Sequence, residues 1–179
     1  MAKAKKSNGK DAIALLKADH RKVEDLFKRY ERSKNDDVKG KLAKEICLEL
    51  SVHTSIEEEI FYPAVKAAVE EEIHDEAYVE HDGAKVLIAE LLDGTPDDDF
   101  YDAKVTVLSE MIKHHVKEEE QPGGLFAQAR KGDVDFDELG QRMTARKESL
   151  IARLKSDGVP IPVTRSMKGS KLQRSKPID

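Results

Sequence analysis

Apolar residues recur every three or four positions along five stretches of the chain, with polar clusters between them. Such spacing lines them up on one face of an α-helix. The first stretch, about Asp11 to Arg32, carries Ile13, Leu16, Val23, Phe27 and Tyr30. His20 fills the one gap in that stripe, four residues after Leu16 and three before Val23, so it is expected to point inward. Ser33 to Asp37 is polar and reads as a turn. The second stretch, roughly Asp37 to Val69, carries Leu42, Ile46, Leu50 and Ile60, and His53 and Glu57 continue its stripe. Pro63 predicts a kink or local break near its end. The third, about Glu71 to Leu92, turns Ile73, Ala77, Ala84, Ile88 and Leu91 inward with His81 among them, and Asp93-Gly94-Thr95-Pro96 ends it. The fourth starts near Asp97, where Asp98 and Asp99 favour a helix N-terminus. Tyr101, Leu108, Met111 and Ile112 lead there to His115 and Glu119, and Pro122-Gly123-Gly124 stops the helix. A fifth, near Asp135 to Lys155, carries Phe136, Leu139, Met143, Leu150 and Leu154, and closes at Gly158 and Pro160.

Four long helices with short connections predict an all-α fold, an antiparallel up-down four-helix bundle, with an additional C-terminal helix. Residues 11–155 form the expected domain. Residues 1–10 read as a basic flexible tail, and residues 156–179, which lack periodicity, as a second one.

Charge sharpens this picture. The net charge of −5 is unevenly spread: residues 1–10 hold four lysines and no acid, and residues 158–179 hold five basic side chains against Asp179. Residues 11–157 therefore carry 22 basic and 35 acidic side chains, a net of −13. An acidic body of this kind repels nucleic acid and concentrates cations. The single cysteine, Cys47, excludes an internal disulfide and reads as a small buried hydrophobe. No run approaches the roughly 18 apolar residues of a membrane span. Residues 1–10 lack the apolar stretch of a secretory signal, so the expected location is the cytoplasm.

The inward polar residues carry the chemistry. His53 to Glu57 and His115 to Glu119 are matching His-x-x-x-Glu steps, and His20 and His81 alternate with them. Residues i and i+4 of a helix share a face, separated by roughly 6 Å of rise, so an imidazole and a carboxylate can converge on one cation. One such step arises by chance in any charged helix, where it is a surface ion pair. Four of six histidines on inward stripes, in this order, are much harder to obtain by accident. Imidazole with carboxylate suits iron, manganese or zinc. Six candidate ligands, His20, His53, Glu57, His81, His115 and Glu119, exceed the four that one zinc needs and point to two ions, iron first. The ferritin-like alternative needs Glu-x-x-His on two helices, a requirement this chain does not meet. His114 to Glu118 repeats the spacing one residue earlier, and Leu108 and Ile112 favour the later register. Glu58 and Glu118 read as supplementary ligands, outer partners or solvated acids. His74 stands two turns, roughly 10 Å, before His81 beside Glu70-Glu71-Glu72, and is expected in a surface or partner role rather than as a ligand.

The blocks His53-Thr-Ser-Ile-Glu57-Glu-Glu-Ile-Phe-Tyr-Pro63 and His114-His115-Val-Lys-Glu-Glu119-Glu resemble the metal motifs of the hemerythrin-like (HHE cation-binding) family over about residues 11–155. The resemblance implies a four-helix bundle holding a non-haem di-iron centre, with Glu57 and Glu119 as bridges and the four histidines as terminal ligands. Oxygen-carrying members have two third-helix histidines one turn apart, and here Ala77 stands one turn before His81. The insertion Gln121-Pro-Gly-Gly124 before Leu125-Phe126 also departs from the first motif, which runs straight into Phe61-Tyr62-Pro63.

The function implied is binding or sensing of a small molecule (O2, NO or peroxide), or iron buffering. A di-iron oxidase or peroxidase is the enzymatic alternative, separated from the first by sustained turnover with a reductant. A metal-free helical interaction module is the third, separated by unchanged helicity after chelation.

Overall fold

The computed structural model describes residues 11–160 and 162–167, and the basic N-terminal segment lies outside them. The described residues form helices and no strands. Helix α1 (Ala12–Arg32) starts where the Asp11 carboxylate accepts the amides of Ile13 and Ala14 at 3.0 and 3.1 Å. Helix α2 (Asp36–Ile56) is capped by Asn35, which accepts the Val38 amide at 3.0 Å. Such caps satisfy amides that lack an intrahelical partner. Helix α4 (Glu71–Asp93) and helix α5 (Tyr101–Glu120) follow a short broken stretch containing α3 (Tyr62–Val65). In the bundle α1 packs on α2, α2 on α4, α4 on α5, and α5 returns to α1. A short α6 (Leu125–Ala129) leads to α7 (Phe136–Asp157), which lies outside the ring against α1 and α2. No described helix is long and apolar enough to cross a membrane.

Two features sharpen the sequence expectation and one corrects it. The second helix breaks before Pro63: residues Glu57–Phe61 form a π segment, in which the Tyr62 amide reaches back five residues to the Glu57 carbonyl. Pro63 has no N–H to continue the regular ladder, and the wider π turn takes up the mismatch on its N-terminal side. The extra residue turns both Glu57 and Glu58, and then both Phe61 and Tyr62, toward the interior.

The aspartates at 97–99 do not begin the fourth helix. Asp98 folds its carboxylate onto the Thr95 amide at 2.7 Å, and exposed Phe100 adopts a left-handed φ of 66°, so the helix begins at Tyr101. After Glu120 the chain reverses through Gly123, at φ 82°, and Gly124, where a Cβ would stand 2.0 Å from the Glu118 carbonyl oxygen. Only glycine permits that approach. The reversal returns Leu125 and Phe126 to the core, and the Phe126 ring meets Phe61 edge-on at 5.7 Å. The insertion therefore seats Phe126 against the aromatic residue that follows the first motif.

The core falls into two apolar clusters. One holds Leu16, Ile56, Phe61, Tyr62, Ala77 and Phe126 with the inner face of α7. The other holds Val23, Leu50, Ala84, Leu108, Ile112 and Val116. Cys47 belongs to the second and is buried as a hydrophobe. Helices α1, α2 and α4 each pass from one cluster to the other near the inward histidine, and α5 runs from the second cluster to His115 and Glu119, so a polar layer lies between them.

Candidate metal centre

Six side chains converge in that layer. His20, His53, His81, His115, Glu57 and Glu119 come from α1, α2, α4, α5 and the π segment, and each is at least 95% buried. The Nε2 atoms of His20 and His53 stand 3.2 Å apart, and those of His81 and His115 are also 3.2 Å apart. The carboxylates join the two pairs. Glu57 Oε2 lies 3.1 Å from His53 Nε2 and 3.3 Å from His81 Nε2. Glu119 Oε2 lies 3.3 Å from His20 Nε2 and 3.7 Å from His115 Nε2. Each carboxylate thus touches one histidine of each pair, as a bridge between two cations requires.

The outward nitrogens show a second level of order. His20 Nδ1 lies 2.7 Å from Glu120, His81 Nδ1 3.1 Å from Glu58, and His115 Nδ1 2.7 Å from Glu80. His53 Nδ1 faces Asp19 at 3.8 Å, an ion-pair distance. An ionised carboxylate only accepts, so each hydrogen-bonded Nδ1 carries the proton and its Nε2 presents a lone pair inward. Two such lone pairs at 3.2 Å repel unless a cation or proton lies between them. Glu57 Oε1 and Oε2 and Glu119 Oε2 are buried without a hydrogen-bond donor among the described residues. Converging lone pairs and undonated carboxylate oxygens suit a metal cation.

The arrangement repeats with pseudo-two-fold logic. The acid preceding the lone histidine of one half supports the histidine of the following motif: Asp19 faces His53, and Glu80 holds His115. The glutamate following each bridge supports the lone histidine of the opposite half: Glu58 holds His81, and Glu120 holds His20. Cations lie outside three of these acids: Lys147 of α7 on Asp19, Lys85 on Glu58, and Arg21 on Glu120.

Asp19, Glu80 and Glu120 are absent from the sequence reading, although the dipeptides Asp19-His20, Glu80-His81 and Glu119-Glu120 mark them. Tyr62 was also missed. Its hydroxyl donates to Glu119 Oε1 at 3.1 Å and lies 3.3 Å from His81 Nε2. The π turn brings it inward, and helical spacing alone gives no sign of that turn.

The other histidines lie elsewhere. His114 is exposed and faces Glu118 at 3.2 Å and Glu80 at 3.5 Å, so the earlier register forms a separate surface cluster. His74 corrects the surface expectation. It is buried, with its ring 5.9 Å from Tyr62 and 5.1 Å from Tyr78, and it takes no place among the converging ligand atoms. The turn into α4 tucks it beneath the aromatic side chains.

Protons compete with a cation for these atoms. Burial opposes charge on His53, yet the Glu57 and Asp19 carboxylates outweigh it and push the imidazole up to about 10. Burial likewise opposes charge on His81, and Glu57 and Glu58 push it up to about 8. Burial would raise Glu57, but His53 and His81 hold it well below the usual carboxylate range. Such protons must leave before imidazole can ligate, so metal uptake releases them and strengthens as pH rises. The metal-free protein has the opposite slope. A raised folded-state pKa contributes stability that is full below the ordinary histidine value of 6.5 and is lost as pH climbs through about 10. The melting temperature of chelator-treated protein is therefore expected to fall between pH 7 and 10. A rise over that interval would contradict the ion pairing described for His53.

A family model of the hemerythrin HHE cation binding domain matches residues 11–122. The chain belongs to this family. The crystal structure of a hemerythrin HHE cation binding domain-containing protein from Mycobacterium kansasii superimposes with a TM-score of 0.70 at 25% identity, covering 84% of this chain and 95% of that one. A DNA nickase from Nostoc sp. is 28% identical over 116 residues, which are 65% of this chain and 32% of the nickase. The chain thus spans about a third of that relative's length. As an HHE domain the protein is a metal-binding helical bundle, and its clustered His and Glu side chains provide the donors.

Proposed function

We propose that this HHE protein holds two iron ions and uses them to bind or sense a small molecule such as O2, NO or peroxide, or to buffer iron. His20 and His53 would hold one ion, His81 and His115 the other, with Glu57 and Glu119 shared. The observation that carries this reading is the position of the two carboxylates, each in contact with a histidine of both pairs. Iron so held would supply a redox-active centre able to exchange electrons with a small molecule. Manganese and zinc are compatible with the same donor types, but six donors from five elements suit two ions of higher coordination number than zinc requires.

The surrounding residues set the conditions. The outer carboxylates fix His20, His81 and His115 with a lone pair inward, and the Tyr62 hydroxyl steadies Glu119. Val23, Leu50, Ile112 and Val116 border a cavity of about 10 Å³ against His20, His53, His81 and His115. That is near the least space a single water needs, so a diatomic molecule suits it better than an organic substrate. The DNA-nicking activity named for the Nostoc relative belongs to a much longer protein, and the −13 charge of residues 11–157 opposes a polyanionic substrate here.

Metal analysis with an ultraviolet–visible spectrum tests the reading. Protein expressed with ample iron is expected to carry about two irons per chain, by the donor count, and to show near-ultraviolet ligand-to-iron charge transfer when oxidised. Stoichiometric zinc from the same preparation would overturn the iron assignment.

A further inference from the structure

The sequence reads residues 156–179 as a flexible tail, yet the described residues 162–167 fold back onto α4 behind His81. This segment lies beyond the residues that match the family. Its seat is Asp82, a fully buried aspartate next to His81 with no contact to the converging ligand atoms. One oxygen, Asp82 Oδ2, accepts the amides of Arg165 and Ser166 at 2.7 and 2.6 Å and the Ser166 hydroxyl at 2.7 Å. Lys85 holds the other oxygen at 3.1 Å and reaches the Val163 carbonyl at 3.4 Å. A buried carboxylate is costly unless donors surround it. Three of these four donors come from the returning segment.

Docked in this way, Arg165 points at the metal layer's outer support. Its Nε lies 3.3 Å from Glu58 Oε2, and its guanidinium sits 5.2 Å from the centre of the Tyr78 ring. Glu58 Oε1 meets His81 Nδ1 at 3.1 Å and Lys85 Nζ at 2.6 Å. Glu58 is thus gripped on one side by Lys85 and on the other by Arg165. A cavity of about 320 Å³ runs between the segment, α2 and α7, with Glu58, Lys85, Val163 and Arg165 in its wall. Release of the segment would open that wall to water at Glu58.

We propose that residues 162–167 clamp the metal layer from outside, Asp82 latching the segment so that Arg165 pins Glu58 against His81 and slows escape of the ion held there. Arg165 is a positioning residue, acting through Glu58 on the orientation of His81. The proposal rests on His81 being a ligand, as in the preceding reading. The partners of ligating histidines commonly set metal affinity by 10- to 100-fold. Loss of the clamp is therefore expected to speed metal release by about tenfold.

The full-length chain loaded with Co2+, a spectroscopically visible divalent probe, separates the possibilities. Asp82→Ala and Arg165→Ala should each release Co2+ to excess chelator about ten times faster than wild type. The double variant should be no faster than the faster single one, because both changes open the same clamp. Arg165→Ala should also shift the Co2+ ligand-field bands with far-ultraviolet circular dichroism unchanged, and Arg165→Lys should restore most of the slow release. Amide exchange on metal-free protein tests the latch alone: Arg165 and Ser166 should be protected in wild type and exposed in Asp82→Ala. Persistent protection in that variant would overturn the latch. Exposed amides with wild-type release rates, or additive effects in the double variant, would overturn the clamp. Failure of wild type to take up Co2+ would instead count against the ligand set, and the amide exchange would still decide the latch.

Discussion

Replacing His53 by alanine is expected to abolish metal binding and to destabilise the metal-free protein as well. His53 Nε2 lies 3.1 Å from Glu57, which is fully buried, and without metal the imidazolium is the nearest compensating charge for that carboxylate. Breaking a buried pair from one side costs about 3–5 kcal/mol, because the surviving charge is left without its partner. Glu119→Ala should also abolish loading, since Glu119 contacts a histidine of each pair. Its loss relative to loaded wild type should be the lost binding energy, about 2.7 kcal/mol when free metal is 100-fold above Kd. For a chain of this length that is roughly 5–10 °C in melting temperature. Both variants should stay helical, because the two apolar clusters do not depend on the polar layer. Metal content and thermal melts of the purified variants decide the matter. Full loading of either one would remove that residue from the ligand set.

The second large effect separates the two histidines of α4. His81→Ala is expected to lose metal or to alter the spectrum of what remains. His81 Nε2 stands 3.2 Å from His115 Nε2 and 3.3 Å from Glu57, and no other described histidine lies within reach to replace it. His74→Ala should keep the full metal content and spectrum. It should still cost stability, because the buried ring packs on Tyr62 and Tyr78 and its removal leaves a cavity. Loss of metal from His74→Ala with retention in His81→Ala would move the third-helix ligand by two turns, roughly 10 Å. Equal loss from both would point to a second site near Tyr78.

The contrast between these histidines shows where local pattern stops being informative. His81 falls on the stripe between Ala77 and Ala84, so helical spacing alone places it inward. His74 lies beside an acidic run that predicts exposure, yet it is buried by aromatic rings supplied from Tyr62 and Tyr78. Tyr62 reaches that position because the backbone widens over Glu57–Phe61 just before Pro63, a change that the apolar period does not signal. Asp97 to Asp99 carry the same lesson. Their composition suits a helix start, but the Asp98 carboxylate finds the Thr95 amide first and closes a turn.

By itself the sequence determined five helices, the inward direction of His20, His53, Glu57, His81, His115 and Glu119, and an acidic body favourable to cations. These properties depend on residues three or four apart on one helix, where a regular backbone fixes relative position. Only the tertiary structure decided that Asp19 faces His53, that Glu80 holds His115, that Phe126 returns against Phe61, and that Arg165 reaches Glu58 from 107 residues downstream. Each of these pairings depends on how far one helix slides and turns against another, or on where a chain reversal ends. Those quantities arise from packing the whole core, and no periodicity along the chain encodes them.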